Sequence, residues 1–252
     1  MAISLININV SDGSVGGALI KRIEKNTGGR WSSRDGQIKE NQYIASLLKI
    51  PDSMEDHIKV MRKIHKGNAV RDISKAKRCG YFCDLFLREN YIPDIFEINH
   101  SKPIRQGRPM AGGYTHDIEK LGGEPHEYKK IFPINLWNPN DWCCWIGVFI
   151  PEKSHQQGKI ITDKRLCGYI NFYRSGELGV FNQILGHGSH LKNGIMYFLY
   201  EYIISRIVVA PIPIFKNIRY IYYGPHTSGT KGLHLWKKRT LFKPCYINKF
   251  VK

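Results

Sequence analysis

The spacing of hydrophobic and polar residues changes several times along the chain. Over residues 2–10, Ile6, Ile8 and Val10 alternate with Asn7 and Asn9, which predicts a short strand. A turn at 11–17, a short helix over 18–25 and a polar irregular stretch over 28–42 follow. Within 54–66, Ile58, Met61 and Ile64 recur at spacing three, which predicts an amphipathic helix stopped by Gly67 and Asn68. Residues 69–78 predict a second helix closed by Gly80. After 81–88, the run IPDIFEI at 92–98 reads as a buried strand, whose alternation puts Asp94 and Glu97 on opposite faces. Residues 99–114 read as a polar, basic loop, and 115–140 as loop-rich.

The C-terminal half is more regular. Residues 142–150 and 166–174 read as strands joined by a polar, hairpin-like connection over 151–164. Ser175, Gly176 and Glu177 form the next turn, and 178–185 the return strand. A small polar turn at 186–190 leads to a helix over 193–207 with Ile195, Leu199 and Ile203 on one face. A strand at 218–223, a Gly-containing loop at 224–232, a basic helix at 233–240 and a strand at 242–247 complete the order. Hairpin strands followed by strands joined through helices predict an α/β (α+β) fold. Its sheet is mixed, mostly antiparallel and flanked by helices.

Composition narrows the classes. The chain has 252 residues, 42% hydrophobic and 12% aromatic, enough for a packed core, so wholesale disorder is excluded. With 24 Gly and 12 Pro, a coiled coil is excluded too. Lys and Arg number 38 against 21 acids, a net charge of +17. A field of that sign attracts a polyanion, DNA or RNA among them. The excess is concentrated. Between Lys59 and Arg78 the only acid is Asp72, and no acid follows Glu201. Six cysteines without a C-x-x-C pair, and an opening segment without signal-peptide character, predict reduced thiols and a cytoplasmic protein. The most apolar stretch, 195–215, holds Glu201, Arg206, Pro211 and Pro213, so no membrane-spanning helix is expected.

Three motifs carry a family resemblance. Gln183-Ile-Leu-Gly186-His-Gly188 matches the Q/R-x-x-G-x-G/A phosphate loop of the GNAT superfamily of N-acyltransferases, at the turn before the helix of 193–207. Small residues there let backbone N–H groups approach an anion. Residues 233–244, ending Phe242-Lys243-Pro244, resemble the terminal motif of that superfamily, with Thr240-Leu241 in place of the usual Gly. Arg71-Asp-Ile-Ser-Lys-Ala-Lys-Arg-Cys-Gly80 is similar to a stretch of the peptidoglycan-bridge aminoacyl transferases, which use a GNAT-like fold and aminoacyl-tRNA.

The resemblance implies one GNAT-like domain over 1–252. Residues 1–80 would be an N-terminal helical elaboration, 81–252 the sheet core, and 166–247 the cofactor half. It implies transfer of an acyl group from acetyl-CoA or another acyl-CoA to an amine, with Gln183, Gly186, His187 and Gly188 holding the pyrophosphate. Some GNAT-like phage proteins modify DNA bases, and the net charge fits an acceptor on DNA or tRNA. Glu97 or His100 is the candidate base, and Tyr223, Tyr222 or a water stands in for the family's general-acid tyrosine if the chemistry needs one. Two other readings stay open. One is a non-catalytic nucleic-acid-binding protein on a degenerate acyltransferase fold, and the other an aminoacyl-tRNA-dependent transferase. Lys102, Arg105 and Arg108 in the 99–114 loop, Arg71 and Lys75, and Lys237, Lys238 and Arg239 are the expected contacts to a polyanion. No standard metal-ligand spacing occurs, so no metal is expected.

Overall fold

The computed structural model describes residues 3–11, 13, 17, 44–105, 107–110, 112–130, 138–209, 213–227 and 229–251. Eight strands form one sheet in the order β1-β10-β2-β9-β8-β7-β6-β3. They are β1 (Ser4–Val10), β2 (Ala45–Lys49), β3 (Phe82–Phe86), β6 (Asp141–Gln157), β7 (Ile160–Ser175), β8 (Leu178–Gly186), β9 (Tyr220–Pro225) and β10 (Lys243–Val251). A separate two-stranded ribbon, β4 (Ile104–Arg105) and β5 (Arg108–Pro109), lies in the basic loop. Only β1–β10 and β8–β9 pair in parallel; every other neighbouring pair is antiparallel. The mixed, mostly antiparallel sheet flanked by helices is the architecture the sequence predicts.

Helices cover both faces. On one side α1 (Met54–Lys63), α2 (Asn68–Arg78) and α5 (Ile195–Val209) share a core with Ile146, Ile170 and Phe172 of the sheet. Ser53 caps α1 by accepting from the Asp56 amide at 3.1 Å. Ile195, Leu199, Tyr200, Ile203 and Ile204 of α5 are all fully buried, so this helix is the spine of that layer. Each such aliphatic side chain contributes about 1.5–3 kcal/mol on leaving water. α2 comes so close to the start of α5 that a Cβ on Gly194 would lie 2.3 Å from the Asp72 carbonyl oxygen. On the other side α3 (Ile92–His100) and the short α4 (Ile118–Leu121) pack on Phe149, Leu166 and Tyr169. The last helix, α6 (Lys231–Arg239), precedes β10.

Two sequence expectations are corrected here. Residues 92–98 form α3, not a strand. Ile92, Ile95 and Ile98 recur every third residue and are all buried, and Pro93 stands in the first turn, where a missing N–H is harmless. Asp94 and Glu97, three residues apart, are about 60° apart round this helix rather than on opposite faces. Asp94 falls at the inner edge of the buried stripe and Glu97 just beyond it. The hairpin-like connection expected over 151–164 is a hairpin whose arms are the continuation of β6 and β7 to a turn at Gly158 and Lys159. Pro151 is tolerated because β3 pairs with β6 only between Trp145 and Phe149, which leaves that part of β6 at the sheet edge. The first eighty residues are also more than a helical elaboration, since β1 and β2 belong to the sheet. The predicted elements at 18–25 and 28–42 lie outside the described residues.

Candidate active site

β8 and β9 run side by side only from Leu178–Tyr220 to Val180–Tyr222. β8 stays paired with β7 as far as Gly186, opposite Gly168, so the two parallel strands part after Val180. The gap is a cavity of about 290 Å3 lined by Ile184, Leu185 and Gly186 of β8, Tyr223 of β9, Leu191 and Met196 from the approach to α5, Leu233 and Trp236 of α6, and Lys102 and Arg105. Among the described residues the Tyr223 hydroxyl has no hydrogen-bond partner. Burial raises its phenol well above the ordinary value, so it is held protonated. Trp236 meets the Tyr223 ring edge-on at 5.3 Å. Lys237 lies beneath that ring, its Nζ 5.4 Å from the centroid and donating to the Pro225 carbonyl. Burial lowers the Lys237 ammonium to about 8.

The loop from Gly186 to Gly194 bounds one end of this cavity. Seven of its amides, from His187 to Leu191 and at Asn193 and Gly194, donate within the protein. His187 N donates to Cys167 O at 2.8 Å, and Gly188 N to Ser101 Oγ at 2.9 Å. Ser189 N donates to His187 Nδ1, and the amides of His190 and Leu191 to His187 O. Asn193 and Gly194 donate to His190 O and Leu191 O. Arg105 locks the loop to α3: its guanidinium donates to Gly186 O, to Ile98 O and to Ser101 Oγ, each at 3.0 Å. Arg105 Nε is buried without a partner. Burial lowers the Arg105 pKa, against the raising influence of Tyr169 and Tyr114.

A second pocket opens on the α3 side of the sheet. β8 gains one residue on β7 between Phe181 and Gln183, a bulge at Asn182. Asn182, Arg105, Tyr114, Ile184, Leu185 and Tyr223 line a cavity of about 380 Å3 that adjoins the first. Asn182 and Tyr114 also line a third, of about 260 Å3, walled by Trp145, Tyr169, Tyr173, Asn171, Asn99, Arg88 and Gln183. The shared residues make one groove across β8. Asn182 Nδ2 donates to Asn171 Oδ1 at 2.9 Å, and Tyr169 OH to Asn99 Oδ1 at 2.6 Å.

The structure gathers some of the sequence-predicted residues and scatters others. Lys102, Arg105, Gly186 and Tyr223 meet at the first cavity. Gln183 does not join Gly186 in a single cradle, because strand alternation turns it to the α3-side pocket. Glu97 and His100 are exposed on α3 and line none of these cavities. Glu97 instead pairs with Arg165 at 3.0 Å and with His187 Nε2 at 3.5 Å, while His100 Nδ1 bonds Phe96 O. Lys237 is corrected as a polyanion contact: it is 1% exposed. Lys238 is exposed, and Arg239 is partly buried with its Nε unpartnered. Arg71 and Lys75 are exposed on α2, Arg71 donating to Asn68 Oδ1 and Lys75 to the Lys192 carbonyl. The side chain of Arg108 lies outside the described residues.

Away from the groove, Asp94 and His155 form a buried pair at 2.8 Å, and Glu152 takes the other imidazole nitrogen at 3.0 Å. The Asp94 hydrogen bond raises the His155 pKa despite burial. Among the described residues no cluster of His, Cys, Asp and Glu fits a metal ion, and no helix is long and apolar enough to cross a membrane.

No protein-family model and no curated protein matches the sequence significantly. Solved structures do match. FemX superposes with a TM-score of 0.54 at 10% identity, over 85% of this chain and 61% of the FemX chain. This chain shares the fold of FemX. It spans less than two thirds of FemX's length. The C-terminal domain (DUF2156) of an Agrobacterium fabrum protein aligns at a TM-score of 0.41 and 9% identity, over 80% of this chain and 57% of that one.

Proposed function

We propose that this protein is an aminoacyl transferase that moves an acyl group from an activated ester, such as aminoacyl-tRNA, to an amine. The observation that carries the reading is the parting of β8 from β9 around Tyr223, whose unpartnered hydroxyl faces a cavity bounded by Lys102 and Arg105. The fold shared with FemX is consistent with it, and the resemblance of residues 71–80 to the peptidoglycan-bridge aminoacyl transferases supports it. The saturated loop at 186–194 favours an ester donor over acyl-CoA. A pyrophosphate cradle needs amides aimed at the ligand, and these amides already donate within the protein.

In the transfer, the amine nitrogen attacks the ester carbonyl carbon. A C–N bond forms, the C–O bond to the donor's hydroxyl breaks, and the amine gives up one proton as the leaving oxygen gains one. Tyr223 suits that last step. A phenol held protonated by burial donates to the developing oxyanion and then to the departing oxygen. The cavity walls do the rest by holding the reactants at contact distance. The exposed Arg71 and Lys75 on α2, with Lys75 bonded to the Lys192 carbonyl of the loop, form a basic surface that suits a polyanionic donor.

The test is single-turnover transfer of label from a mixture of charged tRNAs, and separately from acetyl-CoA, to a mixture of amines. Label should reach the amines from the ester and not from the thioester, and Tyr223→Phe should slow it about 10–100-fold. Transfer from acetyl-CoA alone would overturn the choice of donor.

A further inference from the structure

We infer that the third pocket, of about 260 Å3 and walled by Arg88, Trp145 and Gln183, is the acceptor subsite and that it takes a small amine carrying a carboxylate, of the size of an amino acid or dipeptide. The inference rests on the acyl-transfer reading of the adjoining cavity. Arg88, Gln183 and the exposed His116 line this pocket without a hydrogen bond to the protein among the described residues. Arg88, in the short 3-10 turn Arg88–Tyr91 after β3, makes no ion pair or hydrogen bond among the described residues, and its guanidinium stacks on Trp145 at 5.7 Å. The Gln183 side-chain amide also has no hydrogen-bond partner among them. The other polar groups close on one another, Asn182 with Asn171 and Asn99 with Tyr169.

The wall chemistry selects the ligand. Among the described residues Arg88 is the one Lys or Arg lining the pocket and no Asp or Glu lines it, so an anionic group is favoured there. A guanidinium fixed by stacking on an indole presents its N–H edge to a planar carboxylate with little loss of freedom. The rings of Trp145, Tyr169 and Tyr173 suit an organic body rather than a bare ion. About 260 Å3 holds an amino-acid-sized group but no nucleotide chain.

The groove then sets the direction. The pocket meets the donor side through Asn182 and Tyr114, so a ligand anchored by its carboxylate on Arg88 points its amine toward the bulge and Tyr223. The bond changes are those given above, with this amine as the nucleophile and nothing further consumed.

The experiment is equilibrium binding to the whole chain, by ligand-detected NMR. The probes are a panel of free amino acids and dipeptides, each matched with its C-terminal carboxamide. Carboxylate probes should saturate, with their amides about tenfold weaker or worse. Arg88→Gln should erase that preference, Arg88→Lys should restore part of it, and all three proteins should melt alike. Equal binding of acids and amides, a preference that survives Arg88→Gln, or no saturable binding across the panel would overturn the inference. Ester-donor consumption is followed in the same three proteins. If the donor is consumed but Arg88 changes no acceptor preference, the subsite is wrong while the donor reading stands. If carboxylates bind through Arg88 but no donor is consumed, the donor reading fails alone.

Discussion

Two segments of β8 and its continuation face ligand-sized space in opposite ways. The loop at 186–194 resembles a phosphate cradle in sequence, yet its donors are closed on Cys167, Ser101 and its own turns. The strand just before it contributes only Gln183 to that motif, yet Gln183, Tyr223 and Arg88 line the groove there with polar ends that have no protein partner among the described residues. Donors already closed on protein acceptors serve the scaffold, and polar groups left open beside a cavity are available to a ligand. By that criterion the loop positions the groove and the strand works in it.

The largest expected effect is on the scaffold. Gly194 has φ +78°, and a Cβ there meets the Asp72 backbone. Gly194→Ala should lower unfolding free energy by about 3 kcal/mol or more in a denaturant titration. An unchanged midpoint would mean that α2 and α5 do not meet as tightly as described. Next comes Tyr223→Phe, where a slowing of about 10–100-fold corresponds to about 1.4–2.7 kcal/mol of barrier. Its melting temperature should stay put, because the hydroxyl bonds nothing in the protein. Stability lost without rate lost would reassign Tyr223 to the scaffold.

Ser101→Ala sharpens the contrast from the other side. It removes the acceptor for the Gly188 amide and for one Arg105 nitrogen, and should cost about 1–2 kcal/mol of stability. Its acetyl-CoA affinity should stay negligible. If freeing that amide created CoA binding, the loop would be a latent cradle after all.

The smallest effect is a pH slope. His155 is raised above its unfolded value of 6.5, chiefly by the Asp94 hydrogen bond. A raised imidazole stabilises the fold fully below pH 6.5, and that contribution fades as pH climbs through the folded value. His57, His190 and His226, whose pKa values burial lowers, act in the opposite sense. The readout is therefore the difference in stability between wild type and His155→Gln, which should shrink as pH rises from 6. A slope of the opposite sign would show that the pair is held neutral.

Much of the scaffold was legible in the sequence because its periods were clean. The turn at Ser175–Glu177 and the alternation through 166–185 locate β7 and β8, and the spacings in 54–78 locate α1 and α2. The run at 92–98 misled because three isoleucines at spacing three, separated by mixed residues, satisfy a helix and a fully buried strand equally. β2 escaped notice because ASLLK has no alternation, being buried on both faces between β9 and β10. The groove was only half legible. Basic residues flanked by Gly and Pro pointed to Lys102 and Arg105, and position pointed to Tyr223. Arg88 is an isolated cation in an ordinary stretch, and Asn182 matters through a bulge that no local pattern announces. The Gly motif was real as letters, but its meaning depends on Ser101, far away in the chain, which takes the Gly188 amide.

The most direct measurement compares equilibrium binding of acetyl-CoA with that of charged tRNA, by fluorescence anisotropy across a salt series. Charged tRNA should bind with affinity that falls steeply as salt rises, and acetyl-CoA should show no saturable binding. Tight, saturable acetyl-CoA binding that Gly188→Glu abolishes would contradict the assignment of the loop to scaffold, and with it the ester-donor groove.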